Sequence, residues 1–229
     1  MESNRLDVPS AEYEERRHVF DLCRWINSKL GVMESLGNFD EAFLERKGLN
    51  VKKLIEEAIP VSRLALFLSA PANEVYVTLR SGNQPFDAEI EIAGFGARSF
   101  RVEVTTTESD SSTLRRQALS RYGKVNLHGP ISRRGFEIES SDEMVDVSAE
   151  EERCIALMFE RLRRKVESGR YGPDTAVLVH CSEYLRISLE ARATLVKRTQ
   201  RYLLEQTQQI PAAYFGYAIG LCVDEALAG

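Results

Sequence analysis

Long apolar runs are the first thing this chain of 229 residues lacks. Its longest weakly polar stretch, Ala212 to Val223, holds 12 residues, short of the roughly 18 or more that a membrane-spanning helix needs. The opening residues, Met1 to Arg5, show no charged-then-apolar signal layout. Paired cysteines are missing too. Cys23, Cys154, Cys181 and Cys222 lie far apart with no C-x-x-C among them, which excludes a zinc ribbon and a disulfide scaffold. Three of the four fall in apolar-periodic stretches, as buried thiols in a reducing compartment do. A soluble, cytoplasmic protein is the expectation. Histidine is scarce, and His18, His128 and His180 have no metal-ligand spacing; His180 closes a buried strand and reads as structural. No phosphate-loop, G-x-S-x-G or H-E-x-x-H motif occurs, and no repeat or low-complexity segment. Positive charge is in deficit, 30 basic against 35 acidic residues, for a net −5 and a pI near 5.5. That excludes a chain basic all over, as a nucleic-acid coat would be, but leaves room for a local basic groove.

What remains is an ordinary globular composition, 43% hydrophobic and 28% charged, in a length that buries roughly 70% of its unfolded surface without staples. One elaborated domain is expected, with a helical first part (1–70) packing on an α/β core (71–229) that carries a loop or insertion at about 126–147. Val19, Leu22, Cys23, Ile26 and Leu30 recur at helical spacing between a Ser10 cap and a Gly31 stop. Asn38 and Asn50 cap two shorter helices, 39–47 and 51–59, the second ending before Pro60. Residues 61–70 are apolar without a clear period. Three alternating segments follow, Val75–Leu79, Phe86–Ile92 and Phe100–Thr105, punctuated by Ser81-Gly82-Asn83 and Gly94-Phe95-Gly96, and these predict a three-strand meander. A helix is expected over 113–122, and another from Ser148 to about Val166 with Ile155, Met158, Phe159 and Leu162 as its buried stripe. Ala176–Val179 is an apolar run of the kind buried on both sheet faces. A long helix over roughly 185–208 and a last strand over 213–221 complete a right-handed crossover. The fold class is α/β, a mixed central sheet of meander plus crossover strands flanked by helices.

The chemistry concentrates on the second hairpin. If it folds about Phe95, paired positions sum to 190, so Ile90 faces Phe100, Ala88 faces Val102 and Phe86 faces Val104 on one apolar side. On the other side Glu89 meets Arg101, while Asp87 lies opposite Glu103. Like charges facing across strands destabilise, and two close carboxylates call for a shared proton or a cation. Hard oxygen ligands at this spacing suit Mg²⁺ or Mn²⁺, which take one or two carboxylates and keep several waters. The plainer reading of the same alternation is the wet face of a half-exposed sheet.

The order helix, three-strand meander, helix, strand resembles the PD-(D/E)xK superfamily, the restriction-endonuclease-like nucleases. Pro85-Phe86-Asp87 stands where that family has its strand-two Asp, with one extra residue after the Pro. Glu103-Val104-Thr105 stands where it has Glu-x-Lys. Gln117 and Tyr122 fall in the helix after the third strand, where some members carry a Gln and a Tyr. The resemblance implies a restriction-endonuclease-like core that binds Mg²⁺ or Mn²⁺ through Asp87, Glu103 and the carbonyl of Val104, and that hydrolyses DNA phosphodiesters. The family's Lys, which helps to activate the attacking water and stabilise the developing charge, is Thr105 here. Some members move that Lys, and the candidates nearby are Lys124, Arg121 and Arg101. Arg101 is taken by Glu89, and an arginine is a poor proton acceptor, so Lys124 completes the expected catalytic set with Asp87 and Glu103. Domains of this kind often pair, which makes a homodimer an expectation resting on the resemblance alone. The competing implication of Thr105 is a catalytically inactive relative that binds nucleic acid or a protein partner.

Two charge blocks follow the meander. Arg115, Arg116, Arg121, Lys124, Arg133 and Arg134 give +6 between Ser111 and Gly135 with no acid among them. With Gln117 they form the expected backbone-gripping surface for DNA. The next block, Glu137 to Glu152, bears −8 before the first base and either folds back on the basic block or pairs with it in a dimer. The plain reading of both is two solvated faces. Glu12, Glu14 and Glu15 are candidates for a further metal contact from the first helix.

Overall fold

The computed structural model describes residues 6–37, 40–69, 71, 73–94, 96–126, 130–141, 146–182, 187–206, 210–217 and 223–227. The chain opens with a single helical turn, α1 (Ser10–Tyr13), a two-residue strand, β1 (Arg17–His18), and α2 (Val19–Ser35). The first helix expected from periodicity is thus broken after Tyr13 and continues through Gly31. The N-terminal caps differ as well: Pro9 precedes α1, and its neighbour Ser10 caps nothing. The Asn38 cap expected for a helix over 39–47 lies outside the described residues, and a π-turn covers Asp40–Leu44.

The segment 51–68 is one helix with a wide turn inside it. It runs as α3 (Val51–Lys53), a π-turn over Leu54–Ala58, and α4 (Ile59–Leu68). Pro60 does not stop it. A proline has no N–H to give to the helical ladder and its ring crowds the carbonyl one turn back; the π-turn directly ahead widens the backbone there. The same turn carries Glu56 and Glu57.

The meander follows as β2 (Asn73–Leu79), β3 (Ala88–Gly94) and β4 (Arg98–Thr106). Its register is the expected one: Ala88 faces Val102, Glu89 faces Arg101 and Ile90 faces Phe100. Helix α5 (Asp110–Tyr122) starts on a capping box formed by Ser109 and Ser112 and ends on left-handed Gly123. The expected insertion contains a hairpin, β5 (Ile131–Arg134) and β6 (Glu137–Ser140), turning at Gly135 (φ 63°). Its tip leaves Phe136 93% exposed. Helix α6 (Val147–Glu167), β7 (Thr175–Cys181), α7 (Leu189–Glu205), β8 (Ala212–Tyr217) and β9 (Val223–Leu227) complete the chain.

These strands form a mixed seven-stranded sheet in the order β1-β2-β3-β4-β7-β8-β9. The β4–β7 and β7–β8 neighbours are parallel and the rest antiparallel. Helices cover both faces. On one, Leu22, Ile26, Leu64 and Ala65 pack against Val75, Ile90, Val102 and Leu178. On the other, Met158, Phe159 and Leu162 of α6 and Leu195 of α7 pack against Val177, Val179 and Phe215. The stripe predicted for α6 is therefore its buried face, and all of β7 is buried. No described helix is long and apolar enough to cross a membrane.

The N-terminal strap is held where a side chain does not fit. Val8 donates its N–H to the Leu49 carbonyl at 3.1 Å, and Asn50 Nδ2 donates to the Val8 carbonyl at 2.8 Å. Gly48 lies beneath it at φ 124°, where an added Cβ would stand 2.3 Å from the Leu6 carbonyl and 2.6 Å from a Val51 methyl. Gly48→Ala is expected to lose about 2 kcal/mol or more of unfolding free energy in urea titration. A loss within about 0.5 kcal/mol would mean that the strap yields without cost.

Candidate active site

Strand β3 stops pairing at Ala88, opposite Val102, whereas β4 runs on beside β7 to Thr106. Asp87 occupies the gap. Its N–H donates to the Val102 carbonyl at 2.9 Å and its carbonyl accepts the Arg80 N–H at 2.9 Å, so the backbone is held from both neighbouring strands. Its carboxylate then turns to β4, where Oδ2 accepts the Val104 N–H at 2.8 Å. The N–H and C=O of one strand residue point to the same side, so the Val104 carbonyl faces the same gap. Asp87 is thus not paired with Glu103 as a ladder partner, because β3 has ended one residue earlier. The two charges still meet. Burial, and then the nearby Glu103 carboxylate, push the Asp87 carboxyl up to about 6 against the pull of the Val104 N–H.

A third acid arrives from the π-turn. Burial and the Asp87 charge raise the Glu57 carboxyl to about 8. Lys53 lies one helical turn back, 3.7 Å from Glu57 Oε2, too far to donate a hydrogen bond, and it spends its donors on the carbonyls of Arg80 and Gly82 at 3.3 and 3.2 Å. Glu57 Oε2 is buried without a hydrogen-bond partner. Ionised together, these carboxylates repel one another in a partly dry site.

The cation bonded to Glu103 is Lys165, in the last turn of α6. Its ammonium donates to Glu103 Oε1, and Glu103 is only 9% exposed. Burial works against the ammonium, but the bond to Glu103 and its charge outweigh that and raise the Lys165 pKa above the ordinary lysine value. Lys165 is therefore a fixed positive charge at neutral pH. The Tyr171 ring lies 6.0 Å from its nitrogen and steadies the pair. A groove of about 420 Å³ leads from Glu57, Val104 and Thr105 to Ser109 and Asp110 at the start of α5.

The other residues singled out in the sequence lie elsewhere. Lys124 is exposed beyond the Gly123 cap, and Lys165 stands at Glu103 in its place. Arg101 does not bond Glu89, which takes Arg80 at 2.7 Å instead; Arg101 pairs with Asp174 at 3.0 Å and covers the Phe86 ring. Arg115 and Arg116 line a cavity on the inner side of α5 rather than an outward surface, and Arg116 bonds Glu108 and the Leu44 carbonyl. Arg121 donates to the Phe136 carbonyl at 2.6 Å, and Arg133 reaches Gln117. Of the acidic block, Glu137 and Glu139 fold back in the hairpin opposite Arg134 and Ser132, while Glu150, Glu151 and Glu152 lie on α6 and Asp142 and Glu143 are outside the described residues. Lys124, Arg133 and Arg134 face solvent. Glu14 is engaged by Ser81 at 2.6 and 2.8 Å, and Glu12 by Trp25 at 2.8 Å and Lys29 at 2.5 Å, so neither reaches the groove.

Glu57, Lys165 and Tyr171 are absent from the sequence reading. The one local signal is the acid pair Glu56-Glu57 ahead of Pro60. The position of Lys165 follows from how α6 crosses β4, which no local spacing records. Among the described residues, no three side chains of Asp, Glu, His or Cys form a preformed metal cage; the arrangement offers two to three carboxylates, a backbone carbonyl and room for water. No family model matches the chain, and neither a curated protein nor a solved structure matches it.

Proposed function

We propose that Asp87 and Glu103, beside the groove lined by Glu57, Val104 and Thr105, form the active site of a divalent-metal-dependent nuclease that hydrolyses DNA phosphodiesters. The observation that carries this reading is the convergence of Asp87, the Val104 carbonyl and Glu103 with the Lys165 ammonium where β3 leaves β4 unpaired. The lysine missing at Thr105 in the motif is supplied from α6. The residues fit a hard divalent cation: the donors are all oxygens, and the raised carboxyls of Asp87 and Glu57 mark a repulsion that a cation relieves. Such a cation supplies Lewis-acid polarisation of the phosphate and screens its charge. Asp87, held from both neighbouring strands, orients the donor set. Lys165 holds Glu103 in place and presents its remaining N–H groups to the phosphate oxygens. Water adds to phosphorus, the bond to one sugar oxygen breaks, and a proton reaches the departing oxygen. Exposed Lys124, Arg133 and Arg134 supply sequence-independent phosphate contacts.

The test pairs Mg²⁺ and Mn²⁺ thermal-shift titration with cleavage of plasmid and linear DNA. Asp87→Asn and Glu103→Gln are the variants, because they preserve shape. At about 100 times its dissociation constant a cation is expected to stabilise the wild type by about 2.7 kcal/mol, roughly 5 to 10 °C in Tm, and the variants by less than half of that. Equal shifts in all three proteins, or none, would remove the metal site. The inactive-module reading is favoured by Thr105 and by the internal engagement of Arg116, Arg121 and Arg133. Saturable metal binding without cleavage of any DNA would select it.

A further inference from the structure

A second cavity, of about 220 Å³, lies beside the acidic groove at the carboxyl ends of the parallel strands β4 and β7. The α3–α4 helix, α5 and α6 close over it, and Thr106, Glu108, His180 and Ser182 form its strand side. In open α/β sheets this is where small ligands settle, because strand ends and helix starts leave a crevice there. Its body is apolar, with Leu44, Ile55, Ile59, Leu119 and Leu157. Its charges are unbalanced: five guanidiniums against three carboxylates line the wall, an excess of two positive charges.

Four buried polar atoms of that wall have no hydrogen-bond partner: Arg46 Nε, Arg116 Nε, His180 Nδ1 and Ser182 Oγ. Buried polar groups in folded proteins are nearly always satisfied, so four open ones around a single cavity point to an occupant. His180 is only 9% exposed. Burial, with the charges of Arg63 and Arg46, pushes its pKa down to about 4, so the ring stays neutral at physiological pH, with one nitrogen that donates and one that accepts. The two guanidiniums with open Nε groups are already oriented. Arg46 bridges Glu56 and Glu108, and Arg116 bonds Glu108.

We propose that this cavity binds a small organic monoanion with a planar apolar body, an aromatic carboxylate in class. The excess of positive charge over an apolar body matches one carboxylate, which accepts charged donors on both oxygens. An apolar cavity of about 150 Å³ holds benzene, so this one of about 220 Å³ takes a substituted ring of roughly nine non-hydrogen atoms or a few more. The cavity and the acidic groove share Glu56, Thr106 and Glu108, but the site stands on its own residues and does not rest on the nuclease reading.

The test is a thermal-shift and ligand-observed NMR titration in chelator, which removes any divalent cation from the comparison. The probes are benzoate, 4-hydroxybenzoate and indole-3-carboxylate, each beside its neutral carboxamide. At least one acid is expected to saturate with a dissociation constant of about 1 mM or tighter and to bind about ten times more tightly than its amide. Leu119→Trp, which fills the cavity without touching an ion pair, is expected to abolish binding. If that variant does not fold, Leu157→Phe carries the same comparison. The proposal is overturned if no acid saturates, if amides bind as well as acids, or if the filled variant binds unchanged.

Discussion

On the proposed nuclease reading, Lys165→Met is expected to lose at least about 100-fold in metal-dependent DNA cleavage, the usual loss when one preorganised charge donor to a reacting oxygen is removed. Methionine keeps the hydrophobic stem that packs along α6 and removes only the ammonium. The loss belongs in kcat, because the charge acts on the phosphate as it reacts, while the Mg²⁺-induced thermal shift stays in place through Asp87 and the Val104 carbonyl. A structural role for Lys165 alone predicts something different: Glu103 loses its partner and stability falls, but no second lysine restores cleavage. The decisive variant is therefore the double one. Thr105 lies two residues beyond Glu103 on β4 and lines the groove beside it, so Thr105→Lys in the Lys165→Met background returns an ammonium to the site from the strand instead of the helix. Recovery of about tenfold or more in cleavage is expected. Folded, metal-binding double variants with no recovery would confine Lys165 to holding Glu103.

The acids make the metal-free protein less stable as pH rises. Glu57 titrates at about 8 in the folded chain and Asp87 at about 6, both above their unfolded values near 4. Between those limits the folded state holds more protons than the unfolded one, so unfolding free energy declines with pH. The contribution is fully present below pH 4 and is lost progressively up to about pH 8. Glu57→Gln has no proton to lose there. It is expected to match the wild type at pH 4 and, in chelator at pH 8, to exceed it by about 3 kcal/mol, roughly 6 to 12 °C in Tm. Adding Mg²⁺ at pH 8 narrows that difference. A difference that stays constant from pH 4 to pH 8 would mean that Lys53 keeps Glu57 ionised throughout.

The readable parts of this molecule are those that alternation and capping control. The β3–β4 register follows from one hairpin centre, and it brings Asp87 near Glu103, although past the last ladder pair rather than opposite it. The α6 stripe and the Gly123 stop follow from spacing and from a residue that tolerates a left-handed backbone. Three features escape. The helix 51–68 passes Pro60 because a π-turn absorbs the missing donor, a geometry with no distinct residue signature. The two short edge strands, β1 and β9, are too brief or too polar to show alternation; β9 reads Val-Asp-Glu-Ala-Leu. The basic block reads as one surface, yet α5 turns Arg115 and Arg116 toward an inner cavity, Arg116 bonding Glu108, while the hairpin carries Arg133 and Arg134 outward. A helix distributes adjacent residues over different faces, so a run of like charge fixes no direction.

The order in which the site's parts leave the ribosome has a consequence for the nascent chain. Glu57, Asp87 and Glu103 are all made before residue 104, whereas Lys165 comes 62 residues after Glu103, across α5 and the hairpin. The meander forms from local contacts and closes early, while docking of α6 is a long-range step. An emerging chain thus carries its carboxylates before their lysine. The proposed catalytic set is complete only once α6 has been made, so a chain that stops short of α6 holds the acidic scaffold without its lysine.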